Sequence, residues 1–252
     1  MRLYPVRTPI VKPSDNLVEV VLDSLKAQQL RLEDNDVLAL ASKIISYSQG
    51  RLVKLSEVKP SVKAKKLAKE YSLEPEFAEL LLCEAEKVYG GVEKAVLTLK
   101  DNILTANAGM DNKNAPLGSV VLWPENLPQW LKDFRNEIGF KTGRRVAVVA
   151  VDSGLIPLRI GTIGVALAVA GFNPIREWRG KQDLYGRTIV ITRHAVADDL
   201  ASAAHLLMGE ASEITPVVLI RDAPVDFDDK VHGSAEMMMP FKECIFMNTF
   251  KG

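Results

Sequence analysis

The strongest constraint on the fold is a continuous apolar run, Val146 to Val151, that ends in a carboxylate, Asp152, followed by Ser153 and Gly154. Six apolar residues rich in valine have the length and β-branched content of a strand buried on both faces. Asp152 and Ser153 then fall where such a strand stops, with Gly154 free to turn the backbone away, so their oxygens face a ligand rather than the core. A second apolar run, rich in Gly and Ala, follows Arg159 and Gly161 and leads to Arg176, Arg179, Gly180, Asp183, Gly186 and Arg187. Carboxylates beside guanidinium groups suit a divalent cation together with a phosphate or carboxylate.

The rest of the chain supplies elements to pack against this strand. Leu3 to Val6 reads as a strand, and Asp15 as the cap of a helix whose apolar positions, Leu17, Val20, Val21 and Leu25, keep to one face. Val37 to Ala41 is a second buried strand, ending in Ser42 and Lys43; such a pair can hold a phosphate, although most lysines are simply solvated. Helices are expected from Ser61 to Glu70 and from Glu76 to Tyr89, the second stopped by Gly90 and Gly91. Val92 to Leu99 and Ile103 to Ala106 read as a hairpin, running into an oxygen-rich loop from Asn107 to Asn114. Pro116 to Trp130 reads as an exposed connection, re-entering a helix at Pro128 that reaches about Ile138. Thr188 to Thr192 is expected as a strand, Val196 to Met208 as a helix closed by Gly209, and Val217 to Ile220 as a strand. Asp222, Asp226, Asp228 and Asp229 form an acidic loop before a terminal, Met-rich helix. The fold class is therefore mixed α/β (α+β): a sheet with packed helices, as one compact unit or two closely joined lobes. No repeat or low-complexity linker divides residues 1–252.

Composition narrows the function. With 32 basic and 32 acidic residues the formal net charge is zero, which gives no support to nucleic-acid or anionic-membrane binding. Cys83 and Cys244 make neither a disulfide framework nor a metal spacing. No apolar stretch approaches the roughly 18 residues of a membrane span, and Met1 to Tyr4 do not open a signal peptide, so a cytoplasmic protein is expected.

Five segments in order, SKIISYSQGR from Ser42, TANAGMDNKN from Thr105, VDSGLIPLRIG from Val151, GVALAVAGFNPIREWRGKQDLYGR from Gly164 and VADDLASAAHLLMGEAS from Val196, give the chain a specific likeness. It resembles the coenzyme F-420-0:L-glutamate ligase family over nearly its whole length, a single γ-glutamyl ligase-like domain. The resemblance implies a GTP-dependent, divalent-metal-dependent amide ligase that joins L-glutamate to a carboxylate acceptor through an acyl phosphate. It implies Mg²⁺ or Mn²⁺ at Asp111, Asp152, Ser153 and Glu210, and a homodimer. It also implies GTP held by Thr8, Pro9, Ile10, Val11, Ser42, Lys43 and Asn114, and by Met208, Gly209, Ala211, Ser212, Glu213, Ile214 and Thr215. Asp152 and Arg159 are the expected catalytic side chains, with Arg179 and Arg187 as further anion contacts.

The departures concern the surroundings of that site. Tyr47 stands where the family has a second nucleotide-binding lysine, Ile156 where it has an arginine, and Thr162, Ile163 and Gly164 where it has a polar Gln-Thr-Asp or Gln-Thr-Asn. A changed acceptor pocket follows as an expectation, with a folate or other pterin as the alternative acceptor. A non-catalytic nucleotide or metabolite binder on the same scaffold is the alternative class. A structural protein with surface ion pairs explains the clustering least, since such pairs contribute only about 0 to 1 kcal/mol each.

Overall fold

The structure is a computed structural model that describes residues 1–13 and 15–249. Strand β1 (Arg2–Val6) leads to helix α1 (Leu17–Ala27). The cap of α1 is Asn16, whose side chain accepts from the Val18 and Glu19 N–H groups; Asp15, expected as the cap, instead accepts from the Lys12 N–H at 2.8 Å. Either residue type satisfies free helix donors, and Asn16 is the one placed two and three residues before them. Strand β2 (Val37–Ala41) passes directly into α2 (Ser42–Ser48), followed by β3 (Leu52–Lys54), α3 (Val62–Tyr71) and α4 (Pro75–Glu84).

Helix α4 stops five residues before the expected Tyr89. Ala85 is extended, Glu86 N–H donates to Leu99 O at 2.9 Å, and β4 (Lys87–Val92) pairs antiparallel with β5 (Ala95–Lys100). Gly91 permits this pairing, because a Cβ there would overlap the Ala95 carbonyl. With β6 (Ile103–Ala106) the expected hairpin becomes a three-stranded sheet. The connection expected to be exposed is also different. It is exposed at residues 116–118, as expected, but contains β7 (Ser119–Val121), paired with β3, and is buried from Ser119 to Pro124 before α5 (Leu127–Thr142) begins.

The central run forms β8 (Ala147–Gly154), followed by β9 (Ile163–Phe172), β10 (Ile175–Glu177), β11 (Arg193–Ala195), α6 (Val196–Met208) and β12 (Val217–Arg221). The chain then continues through β13 (Phe227–His232), α7 (Ser234–Met237) and α8 (Ile245–Thr249). The strand expected at Thr188 to Thr192 lies at Arg193–Ala195 instead, where β10 offers an antiparallel partner. Asp228 and Asp229, expected in a loop, belong to β13 at the sheet edge, where half of each strand faces water.

The main sheet has the order β1-β12-β2-β8-β9-β13, and only β2 and β8 run parallel. Alternation along β2 and β8 explains their continuous apolar character. Leu38, Leu40, Val148 and Ala150 pack with α1 and α5, while Val37, Ala39, Val149 and Val151 pack with α6 through Leu200, Ala201 and Ala204. A second core gathers Leu81, Val96, Ala108, Val120 and Leu122 beneath the three-stranded sheet. The observed class is thus the expected mixed α/β arrangement of sheets with packed helices. No helix among the described residues is long and apolar enough to cross a membrane.

Candidate active site

Parallel pairing of β2 with β8 sets the site. Ala41 and Val151 are register partners, so the two strands deliver Ser42 with Lys43, and Asp152 with Ser153, to one end of the sheet. Carboxyl ends of adjoining parallel strands are recurrent ligand sites. Asp152 and Ser153 are still inside β8, paired with Val165 and Gly164 after a bulge between Ala150 and Val151, rather than beyond the strand end as expected. The bulge re-aims the last residues of the strand, and the turn comes only after Gly154.

A cavity of about 420 Å³ opens at this end. Thr8, Pro9, Ile10, Val11, Ser42, Lys43 and Asn114 line it, as do Met208, Gly209, Ala211, Ser212, Glu213, Ile214 and Thr215. The four oxygen donors Asp111, Asp152, Ser153 and Glu210 line it too. Segments separated by as many as 207 residues, Thr8 and Thr215, therefore converge there, and every residue assigned by resemblance to nucleotide or cation is on its wall. Arg159 is not: it lies on the exposed segment between β8 and β9. Arg179 is turned to its neighbour Glu177, with Nε 2.8 Å from Oε1, and Arg187 is exposed.

The charges inside the cavity are mutually compensated. Lys43 Nζ lies 2.6 Å from Asp111 Oδ2 and donates to the Lys113 carbonyl at 2.8 Å. Burial pushes the Asp152 carboxyl up to about 6, against the opposing pull of hydrogen bonds from the Trp123 indole, the Ser153 backbone and Ser42, and of the Lys43 charge. Burial also works to raise Glu210, but hydrogen bonds from Thr162 and His205, with Lys113 nearby, hold it below the ordinary carboxylate range.

Loop geometry closes the wall. Asn114, left-handed at φ 55°, donates from Nδ2 to the Ala211 carbonyl at 2.6 Å, and Tyr47 OH donates to the Asn114 carbonyl at 2.9 Å. Tyr47 thus pins the loop to α2 at the position where the resemblance leads one to expect a lysine. Gly109, at φ 71°, is required by Trp123: a Cβ there would overlap the indole that donates to Asp152.

Sequence reasoning marks Tyr47 and Thr162 only as departures in the surroundings of this site, and it passes over Trp123 and His205 altogether. Only His205 left a usable signal, as one of three histidines in the chain and five residues before Glu210. Trp123 was hidden by its place in a segment read as exposed.

The donor chemistry of Asp111, Asp152, Ser153 and Glu210 fits Mg²⁺ or Mn²⁺, since all four supply hard oxygens to one cavity. Their spacing is looser: among the described residues no three His, Cys, Asp or Glu side chains are gathered on one point. The Lys43 ammonium supplies the positive charge at Asp111 instead.

Comparison with known proteins bears on this cavity. The family model described as F420-0:Gamma-glutamyl ligase matches residues 5–222. A coenzyme F420:L-glutamate ligase of Methanopyrus kandleri is 38% identical over 225 residues, covering 88% of this chain and 86% of the relative. The enzyme of the same name from Archaeoglobus fulgidus is 34% identical over 222 residues, 88% and 87% of the two chains. That of Methanocaldococcus jannaschii is 34% identical over 243 residues, 95% and 94%.

Proposed function

The chain belongs to the F420-0:gamma-glutamyl ligase family and is an amide-bond-forming ligase, and from that premise we propose that it joins L-glutamate to a carboxylate-bearing deazaflavin, F-420-0 or a close relative, at the expense of GTP. One observation carries this reading: the 420 Å³ cavity lined by Lys43, Asp111, Asp152 and the 208–215 loop. A carboxylate is a poor electrophile. The acceptor oxygen therefore attacks the γ-phosphorus of GTP, GDP leaves, and the acyl phosphate that results is attacked by the glutamate amine. Phosphate departs, the amine proton passes to solvent or a cavity carboxylate, and the amide remains.

The residues of the chain supply binding and positioning. The 208–215 loop and residues 8–11, joined where the Thr8 N–H donates to the Ile214 carbonyl at 3.4 Å, form a continuous wall for a nucleotide, and the Asn114 bond to Ala211 holds that loop. Lys43 places a cation where phosphate oxygens gather charge. Asp111, Asp152, Ser153 and Glu210 would hold Mg²⁺ or Mn²⁺, whose chemistry there is to neutralise phosphate oxygens. A homodimer accords with the exposed apolar side chains Leu158 and Ile160 between β8 and β9 and Leu184, Val190 and Ile191 between β10 and β11.

The test is mass spectrometry of the purified protein with L-glutamate, GTP, Mg²⁺ and Mn²⁺, supplied separately with F-420-0 and with a reduced folate. Glutamate-extended F-420-0 is the expected product. Extension of folate alone would move the acceptor to the pterin class, and no extension of either, with GTP still bound, would reduce the chain to a nucleotide binder.

A further inference from the structure

The family match ends at Asp222, yet the chain beyond it builds half the lining of a second cavity, of about 240 Å³. Four of the seven methionines, Met237, Met238, Met239 and Met247, line it together with Phe241. The opposite wall comes from Ile103 and Leu104 of β6 and from Val165 of β9. Val165 is the register partner of Asp152, so the backbone of one lining residue sits a single strand spacing, about 5 Å, from that of Asp152, and the two side chains leave the sheet on the same face. Ile103 also borders a polar cavity lined by Trp123, the residue that donates to Asp152. The two cavities are therefore neighbours across β9.

The wall is fixed as well as soft. His232, at the start of the segment, has Nε2 2.9 Å from Asp228 and Nδ1 2.6 Å from Glu236, which ties α7 to β13. Farther along, the Phe241 ring lies 6.5 Å from that of Tyr89 in β4. Methionine side chains adapt to flat ligands and make favourable sulfur contacts with aromatic rings. A volume below the roughly 300 Å³ at which whole-ligand pockets begin suits one ring system.

We propose that this methionine-lined cavity receives the planar aromatic portion of the acceptor, leaving its carboxylate to reach across β9 toward Asp152. That the ring belongs to the acceptor rests on the ligase reading above; that the cavity takes a planar ring does not.

Two measurements separate these points. Fluorescence anisotropy with lumiflavin, a tricyclic ring without a carboxylate, reads the cavity with no turnover. Leu104→Glu and Met238→Glu each place a charge on a different wall at a partly exposed position, 38% and 37% accessible. Each is expected to weaken lumiflavin binding about tenfold or more and to raise the KM for the acceptor in step, with GTP affinity unchanged. The proposal is overturned if the unaltered protein does not bind lumiflavin, or if both variants bind it unchanged. It is also overturned if the acceptor KM is unaffected in both variants, or if GTP affinity falls equally. Should the protein extend no acceptor while lumiflavin binding is still lost in the variants, the ligase reading fails and the ring site stands.

Discussion

Asp152 and Arg159 lie seven residues apart in the sequence and the resemblance gives both a catalytic role, but the structure treats them differently. Asp152 is held in β8, paired with Val165 and bonded to the Trp123 indole, and it faces the cavity. Arg159 lies on an exposed segment between Gly154 and Ile163, outside the cavity wall. Strand pairing fixes where a side chain points, whereas a solvated connection leaves that choice to whatever packs on it. Of the two, Asp152 has a position imposed by the fold.

The largest test of this contrast is Asp152→Asn. In the ligase assay proposed above, turnover should fall about 10³-fold while the far-UV circular dichroism is unchanged, the scale of losing a preorganised charge at a reacting centre. Undiminished turnover would break the contrast outright. Stability should move the other way. Because burial raises the folded-state value of this carboxyl from near 4 to about 6, its contribution is most favourable at acid pH and is lost as pH rises through 6. Ionising it in place costs up to roughly 3 kcal/mol at pH 7. In metal-free protein the Asn variant should therefore melt higher than the parent at pH 7 and alike at pH 4; equal melting at both would refute the burial argument.

Gly109→Ala tests how Asp152 is held. The new methyl collides with the Trp123 indole at a left-handed backbone, so urea unfolding should show a loss of about 2 to 4 kcal/mol. A loss within about 0.5 kcal/mol would mean that the indole moves aside freely. The smallest effect is expected from Arg159→Ala, a change in kcat/KM within about threefold, as for exposed substitutions generally. A loss of more than about tenfold would return Arg159 to the site and make its segment part of the reacting surface.

Much of the fold was legible because local chemistry and tertiary demand agreed. β2 spans Val37–Ala41 as read, α6 spans Val196–Met208 as read, and Gly209 closes it at φ 73°. The misreadings fall where a partner strand decided the outcome. Lys87–Val92 has no helix-breaking residue before Gly90, and it is a strand because β5 accepts its hydrogen bonds. Ser119–Val121 lies in a segment rich in proline and is buried because β3 lies beside it. No property of residues 116–130 alone announces that Trp123 meets Asp152.

The sequence by itself determined the class of the protein and the chemical kinds available to its site: buried valine runs, carboxylates after them, a lysine after another strand, and motifs in a family order. Those depend on side-chain identity and short-range pattern, which one chain displays openly. Only the tertiary structure decided which groups meet. Parallel register sets Lys43 and Asp152 at one end of the sheet, a bulge turns Asp152 toward the indole, and the loops from Asp111 and Glu210 arrive from distant parts of the chain. Contacts of that kind depend on strand partners and backbone closure over long separations, and no local pattern encodes them.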